Sequence, residues 1–264
     1  MLKLCIAGVT GRMGEAILHE AVSKGHQIVG ATEAVNSPNV SKTLRELGLI
    51  NSDVKITTSE HLDEACKEAD VYISFTLPEA EMSNIPAVVK LGKKIVLGTT
   101  GFTEEQNQII RNEITNGKVP AVFSPNFSVG INMLFKLAQV LKAIPEGYNF
   151  SISEIHHAAK KDAPSGTARK LGEIIADVRG YTTLVHGREG TSLRKPSELE
   201  IVSMRAGGVP GVHDLIIAGP YEMLRIEHTA FSRNVFAQGA IVAAEWLNKQ
   251  QTPGIYSMER VLES

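Results

Sequence analysis

A strand-like run that breaks directly into glycines leaves a chain few folds to adopt, and this chain opens with one. Leu2–Ala7 is a short apolar run that reads as a buried parallel strand, and Gly8-Val9-Thr10-Gly11-Arg12-Met13-Gly14 follows at once. Helical spacing then takes over in Glu15–Lys24, through Ile17, Leu18, Ala21 and Val22. His26–Ala31 is a second strand, ended by Thr32-Glu33. Strand, glycine turn, helix, strand and acid is the order of a dinucleotide-binding βαβ unit.

The glycine spacing is G-x-x-G-x-x-G, because threonine stands at position 10. The physical work survives that change. Gly8 permits the tight turn, Gly11 lets a pyrophosphate approach the backbone, and Gly14 allows close helix–strand packing. Arg12 offers a charge-assisted contact to phosphate. Tight turns use glycine for geometry alone, so the triplet gains its meaning from its place after the first strand and from Glu33, about twenty residues on. A carboxylate there can accept hydrogen bonds from both ribose hydroxyls of NAD, whereas a 2′-phosphate would need a cation nearby. Ala34-Val35-Asn36-Ser37 supply none and Lys42 is the nearest. The expectation is NADH, or acceptance of both NADH and NADPH.

The α/β rhythm continues. Val54–Thr57 is a short strand, Ser59–Ala69 a helix with Ser59 as its cap, and Val71–Phe75 a buried strand ending in Thr76. Pro78 opens a helix to about Leu91, and Ile95–Leu97 leads into Gly98-Thr99-Thr100-Gly101-Phe102. Thr103 and Gln106 fit a capping box. Ala121–Phe123 is closed by Ser124-Pro125-Asn126-Phe127. Three strand ends in small polar or glycine-rich turns are positioned to line a nicotinamide pocket, although each alone reads equally as a turn.

Beyond Phe127 the pattern changes. Residues 128–143 read as one bridging helix, and long strands follow at Phe150–His156, Leu199–Arg205, Val212–Ala218 and Glu222–Thr229. The last two form a hairpin around Gly219-Pro220-Tyr221. Asn234–Asn248 is a helix holding the sole tryptophan, Trp246, and Tyr256–Leu262 a short terminal one. The expected architecture is α/β: a Rossmann-type dinucleotide-binding domain of residues 1–127 and 235–264, and a second α+β domain, residues 128–234, with a large mixed or antiparallel sheet.

The chemistry concentrates in Glu154-Ile155-His156-His157-Ala158-Ala159-Lys160-Lys161-Asp162-Ala163-Pro164-Ser165-Gly166-Thr167. Strand alternation places Ile152, Glu154 and His156 on one face and Ile155 and His157 on the other. Pro164 suits the first turn of a helix over Ser165–Val178, whose free N–H groups at Gly166 and Thr167, with the Ser165 and Thr167 hydroxyls, would face an anion. An imidazole, an ammonium and an anion cradle suit a small multi-carboxylate substrate. Taken alone, Asp162 or Ser165 is only a helix cap and the lysines are solvated. Adjacent histidines diverge on a strand, and no third ligand stands at metal spacing, so no metal is expected.

Residues Glu154 to Thr167 closely resemble the signature E-[IAM]-H-H-x-x-K-x-D-A-P-S-G-T-A of the dihydrodipicolinate reductase family. The resemblance covers essentially the whole chain, through Gly8-x-x-Gly11-Arg12-Met13-Gly14, Phe75-Thr76, Gly98–Phe102, Asn126–Gly130, Arg205-Ala206-Gly207, Ser232-Arg233 and Gly254–Met258. It implies reduction by NADH or NADPH of a cyclic imine dicarboxylate in lysine and diaminopimelate biosynthesis. His156 would be the proton donor and Lys160 the cationic partner, with His157, Ser165, Gly166 and Thr167 on the substrate carboxylates. The implied cofactor set is Gly8, Gly11, Arg12, Met13, Gly14, Glu33, Phe75, Thr76, Gly98, Thr99, Thr100, Ser124, Asn126, Phe127 and Arg233. The resemblance also implies a homotetramer built through the second domain's sheet. Where many relatives carry polar or basic residues between histidines and lysine, this chain has Ala158-Ala159.

Composition agrees with an enzyme of this kind. With 264 residues, 43% hydrophobic and net charge −2, the chain can bury a core without staples and carries no basic face for nucleic acid. No apolar run has the length of a signal-peptide core or a membrane span, and Cys5 and Cys66 read as buried reduced thiols, so a cytoplasmic protein is expected. Three other readings remain at this level: a reductase of a related imine or keto dicarboxylate, a Lys160 Schiff-base lyase, and an NADH-sensing regulator. The lyase leaves the glycine turn and Glu33 unused. The regulator lacks a basic patch.

Overall fold

The computed structural model describes residues 1–263. The chain divides into two compact units: residues 1–129 with the chain from Asn234 onward, and Gly130–Arg233. It begins with β1 (Lys3–Ala7), α1 (Arg12–Ser23) and β2 (Gln27–Glu33), then β3 (Ile56–Thr58) and α2 (Leu62–Cys66). The alternation continues through β4 (Val71–Ser74), α3 (Pro78–Lys90), β5 (Lys94–Leu97), α4 (Glu104–Asn116) and β6 (Pro120–Phe123). Next come α5 (Val129–Val140), β7 (Asn149–His156), α6 (Gly166–Arg179), β8 (Thr183–Val185), β9 (Glu198–Arg205), β10 (Val212–Ala218) and β11 (Met223–Thr229). The chain then rejoins the first unit as α7 (Asn234–Asn248), β12 (Gly254–Tyr256) and α8 (Met258–Val261).

The first unit holds a seven-stranded parallel sheet in the order β12-β6-β5-β4-β1-β2-β3. Its central strands are apolar on both faces, as strands between two helix layers must be. Leu4, Ile6, Ile73 and Val122 pack with Ile17 and Leu18 of α1 and Ala240 and Ile241 of α7. Cys5, Ala7, Tyr72 and Ile95 pack on the other side with Ile85 of α3 and Ile110 of α4. From β1 the chain moves outward to β2 and β3, then restarts at β4 on β1's other side. That reversal is the switch point outside which ligands bind in open α/β sheets. The turn after β1 lies there and depends on glycine: Gly8 has φ +62°, and a Cβ on Gly14 would stand 2.0 Å from the Gly8 carbonyl oxygen.

The second unit holds a mixed sheet in the order β11-β10-β7-β9-β8, with β10 antiparallel to both its neighbours and the other pairs parallel. One face carries Phe150, Ile152, Leu199, Ile201, Leu215 and Ile217 against Leu134 of α5 and Leu171 and Ile175 of α6.

Several local expectations are corrected. Ser59 caps no helix, since Ser59–His61 is a 3-10 turn and α2 begins at Leu62. The helix expected over residues 128–143 is α5 followed by a 3-10 turn at Leu141–Ala143. Pro164 is not in the first turn of α6. Ser165 takes the N-cap, its Oγ accepting from the Ala168 N–H, and Pro164 lies before it after a cis peptide. The helix expected over Tyr256–Leu262 is shorter, since Tyr256 ends β12 beside β6 and only Met258–Val261 is helical. The Thr103–Gln106 capping box is present.

Gly14→Ala forces a Cβ into the Gly8 backbone, where no side-chain rotation relieves it. The expected cost is about 2–4 kcal/mol of unfolding free energy, read by urea denaturation. Gly25→Ala serves as a comparison for backbone strain alone, since nothing lies within 4 Å of its Cβ position.

Candidate active site

Along β7 the covered face changes character at constant period. Phe150 and Ile152 belong to the core, while Glu154 and His156, next on that face, are also buried. Neighbouring strands change in step: Glu154 pairs with Ser203 of β9 and His213 of β10, and His156 pairs with Arg205. The N-terminus of α6 closes over this polar end. One sheet face therefore serves as core under the body of α6 and as a site under its first turn.

Glu154 is the hub and is fully buried. Arg205 forks onto it, Nη1 donating to Oε2 and Nη2 to Oε1, both at 2.9 Å. The Ser165 N–H donates to Oε1 at 3.0 Å, and His156 Nδ1 lies 2.5 Å from Oε2. Burial alone would raise this carboxyl, but the Arg205 fork, His156 and the Ser165 N–H outweigh it and hold it at about 2. Glu154 is thus an anion at every physiological pH. It fixes the imidazole through Nδ1, which leaves Nε2 as the working nitrogen. Gly211 keeps Nε2 accessible, because a Cβ there would stand 3.1 Å from it. Burial pushes His156 below the usual 6.5 despite Glu154.

His213 lies beside His156, ring centroids 5.1 Å apart, with Nε2 3.1 Å from Ser165 Oγ. Burial first, and the neighbouring His156 second, lower it to about 3, so it is neutral at pH 7. Lys160 Nζ pairs with Asp162 at 2.7 Å. Gly166 begins α6 with nothing within 4 Å of its Cβ position, so its glycine serves no packing, and Thr167 follows in the same turn. His157 points away from this cluster and lines a cavity of about 390 Å³ with Gly208, Pro210, Ser232 and Arg233. Arg233, grouped by sequence with the cofactor residues, lies in this second unit.

The remaining residues gather at the strand ends of the first unit. Gly11 is the N-cap of α1, Arg12 and Met13 open its first turn, and no side chain caps its N–H groups. Glu33 Oε1 accepts from both the Thr10 N–H and hydroxyl at 2.7 Å. Phe75 and Phe127 rings lie 5.0 Å apart, and a Cβ on Gly98 would stand 2.1 Å from Phe75. The Thr76 N–H donates to Thr99 Oγ1 at 3.0 Å, while Thr100 is exposed. Ser124 Oγ donates to the Asn126 carbonyl at 2.9 Å. Among the described residues no cluster of three His, Cys, Asp or Glu could hold a metal, and no helix is long and apolar enough to cross a membrane.

Two family profiles divide the chain between them: "Dihydrodipicolinate reductase, N-terminus" matches residues 2–127 and "Dihydrodipicolinate reductase, C-terminus" residues 130–262. The chain belongs to the dihydrodipicolinate reductase family. A 4-hydroxy-tetrahydrodipicolinate reductase of Methanosarcina barkeri is 40% identical over 99% of both chains. One from Methanopyrus kandleri is 39% identical over 99% of this chain and 97% of its own. In fold, the chain is similar to a dipicolinate-bound dihydrodipicolinate reductase from Paenisporosarcina sp. TG-14, with TM-score 0.75, 24% identity and 97% of each chain covered. Family membership makes the chain an oxidoreductase that uses a pyridine nucleotide. Alternation in the sequence places Glu154 on one face with His156, but it assigns no role to Arg205 and does not single out His213. Alternation within each strand carried the signal, but only the register between strands joins the three.

The Glu154 depression from 4.5 to about 2 corresponds to about 3 kcal/mol. Because the folded value is the lower one, that stability is present above pH 4.5 and is lost as pH falls toward 2. Arg205→Met leaves the buried carboxylate without its fork and should cost about 3–5 kcal/mol. Its acid unfolding should begin at higher pH than wild type, as read by urea titrations between about pH 3 and 8.

Proposed function

We propose that the chain reduces the cyclic imine dicarboxylate 4-hydroxy-tetrahydrodipicolinate, which loses its 4-hydroxyl as water before the conjugated ring takes up a hydride and a proton, to tetrahydrodipicolinate with NADH or NADPH, a step of lysine and diaminopimelate biosynthesis. The observation that carries this reading is the 40% identity, over 99% of both chains, to a relative named for that reaction.

The first unit suits a dinucleotide. The Gly8–Gly14 approach leaves no room for side chains between the turn and α1, and the N–H groups of Arg12, Met13 and Gly14, which no side chain caps, suit a pyrophosphate, while Gly11 donates to the Gly8 carbonyl and holds the turn. Glu33 holds Thr10 through Oε1, so that Oε2 remains for ribose hydroxyls. Phe75, Thr76, Gly98, Thr99, Thr100, Ser124, Asn126 and Phe127 would flank the nicotinamide. With no cation in residues 34–37, NADH is favoured or both nucleotides are used. When bound, the reduced nicotinamide supplies a hydride.

The residues of β7 and α6 do the rest. His156 delivers a proton from Nε2 to the substrate carbon beside the one reduced, while Glu154 holds Nδ1 and balances the imidazolium. Lys160 exchanges Asp162 for a substrate carboxylate, and the Gly166 and Thr167 N–H groups with the Ser165 and Thr167 hydroxyls take its other oxygens. His157 and Arg233 border the cavity where a carboxylate would enter. The assembly is a cytoplasmic homotetramer in this reading. Exposed Val202, Met204, Met223 and Leu224 on the second sheet support an interface there.

The deciding assay follows absorbance at 340 nm with freshly made dihydrodipicolinate synthase product, run with each nucleotide. Oxidation of either is expected, and oxidation of neither rejects the reading. Lys160→Ala should lower kcat by about a hundredfold with the fold intact. Near-normal turnover would move the role to Lys161. Since the acid form of His156 is required and burial lowers its pKa, kcat/KM should fall as pH rises through a midpoint below 6.5. The bound dicarboxylate favours the imidazolium, so the corresponding midpoint in kcat should lie higher.

A further inference from the structure

A second buried carboxylate, Glu81, lies in the first unit, outside the chemistry assigned above. It belongs to α3, is fully buried, and has no ion-pair partner among the described residues. Its Oε1 accepts from Ser74 Oγ at 2.5 Å, Thr76 Oγ1 at 2.6 Å and Thr99 Oγ1 at 2.8 Å. Its Oε2 is buried without a hydrogen bond. One oxygen thus collects the hydroxyl hydrogens of Ser74, Thr76 and Thr99 at the ends of β4 and β5.

Those hydroxyls belong to the two loops that would flank the nicotinamide. Thr99 donates to Glu81 and accepts from the Thr76 N–H, so the loops are joined twice. With its hydroxyl turned inward, Thr76 presents its methyl to the glycine turn, where a Cβ on Gly8 would meet it at 2.9 Å. Phe75, between Ser74 and Thr76, is held against Gly98 and Phe127. Uncompensated burial of a carboxylate is costly, and three neutral donors are a sparse return for it. The carboxylate's yield is a fixed rotamer for each hydroxyl residue across the switch point.

We propose that Glu81 is a positioning residue of the nicotinamide end: it locks the Phe75-Thr76 and Gly98-Thr99 loops in the conformation that receives the reduced ring and leaves the ADP-ribose end alone. This rests on the dinucleotide reading of the first unit. The test compares equilibrium binding of NADH and NADPH with that of ADP-ribose and its 2′-phosphate, by calorimetry, in wild type, Glu81→Gln and Thr99→Val.

In wild type, at least one of each pair should bind. Glu81→Gln should weaken the reduced dinucleotide about tenfold and its ADP-ribose counterpart less than twofold, because a neutral amide oxygen holds three hydroxyls less firmly than a carboxylate oxygen and an NH2 in the place of Oε2 is buried with no acceptor. Thr99→Val, which removes one donor to Glu81 and the acceptor of the Thr76 N–H at nearly constant shape, should move the same ratio in the same direction and keeps the question open to measurement if Glu81→Gln does not fold. A purely structural Glu81 would lower the melting temperature and leave the ratio unchanged, which overturns the proposal. If neither dinucleotide nor ADP-ribose binds wild type, the dinucleotide reading itself fails, and the Glu81 role with it.

Discussion

The second unit depends on a carboxylate with no access to water. Glu154 would be an intolerable charge at the centre of a sheet face unless every lone pair were occupied, and here each is. Two guanidinium nitrogens, a backbone N–H at a helix start and an imidazole nitrogen surround it. These contacts tie β7 to β9 through Arg205 and to α6 through Ser165. Arg205 also donates to the Asp162 carbonyl at 2.5 Å, which anchors the loop carrying Lys160. The interaction that makes the charge tolerable therefore also fixes the helix start, the lysine loop and the imidazole. Stability and the geometry of the site cannot be altered separately at this position.

The first unit solves a different problem, close approach. Its switch point brings the turn after β1 against the loop after β4, and glycines at 8, 14 and 98 remove the atoms that would collide. Empty space of this kind is held open by rigid neighbours. Phe75 fills the room that Gly98 gives up, and Thr76 fills that of Gly8. The hydroxyls around Glu81 keep both in place. Charge compensation organises one unit and steric omission the other.

Legibility in the sequence follows the range of each interaction. Parallel strands β1, β4, β5 and β6 are continuous apolar runs, and α4 carries its own capping box, so these elements are visible locally. Short edge strands such as β8 and β12 are defined by the partner they pair with, and three residues of Thr-Leu-Val or Gly-Ile-Tyr say little by themselves. Pro164 shows the limit of positional rules, because Ser165 offered the better cap and displaced the helix start past the proline. In the site, His156, Lys160 and the Ser165–Thr167 turn lie within a dozen residues and could be read together. Arg205 and His213 enter through cross-strand register, which no periodicity within one strand specifies.

The same register explains why the proton stays on histidine rather than passing to its carboxylate partner. A lone buried Glu–His pair shares its proton, and the neutral pair avoids the cost of two buried charges. A third group, Arg205, changes the outcome: its fixed charge and twin hydrogen bonds hold Glu154 at about 2 and keep it ionised. Two groups 2.5 Å apart are thereby given separate duties, one a permanent anion and the other the titrating acid. Burial pulls His156 downward at the same time, so the imidazolium forms most readily when an anionic substrate covers it. In the proposed reaction proton supply would thereby be coupled to occupancy, with burial favouring a neutral imidazole in the free site beside the neutral His213.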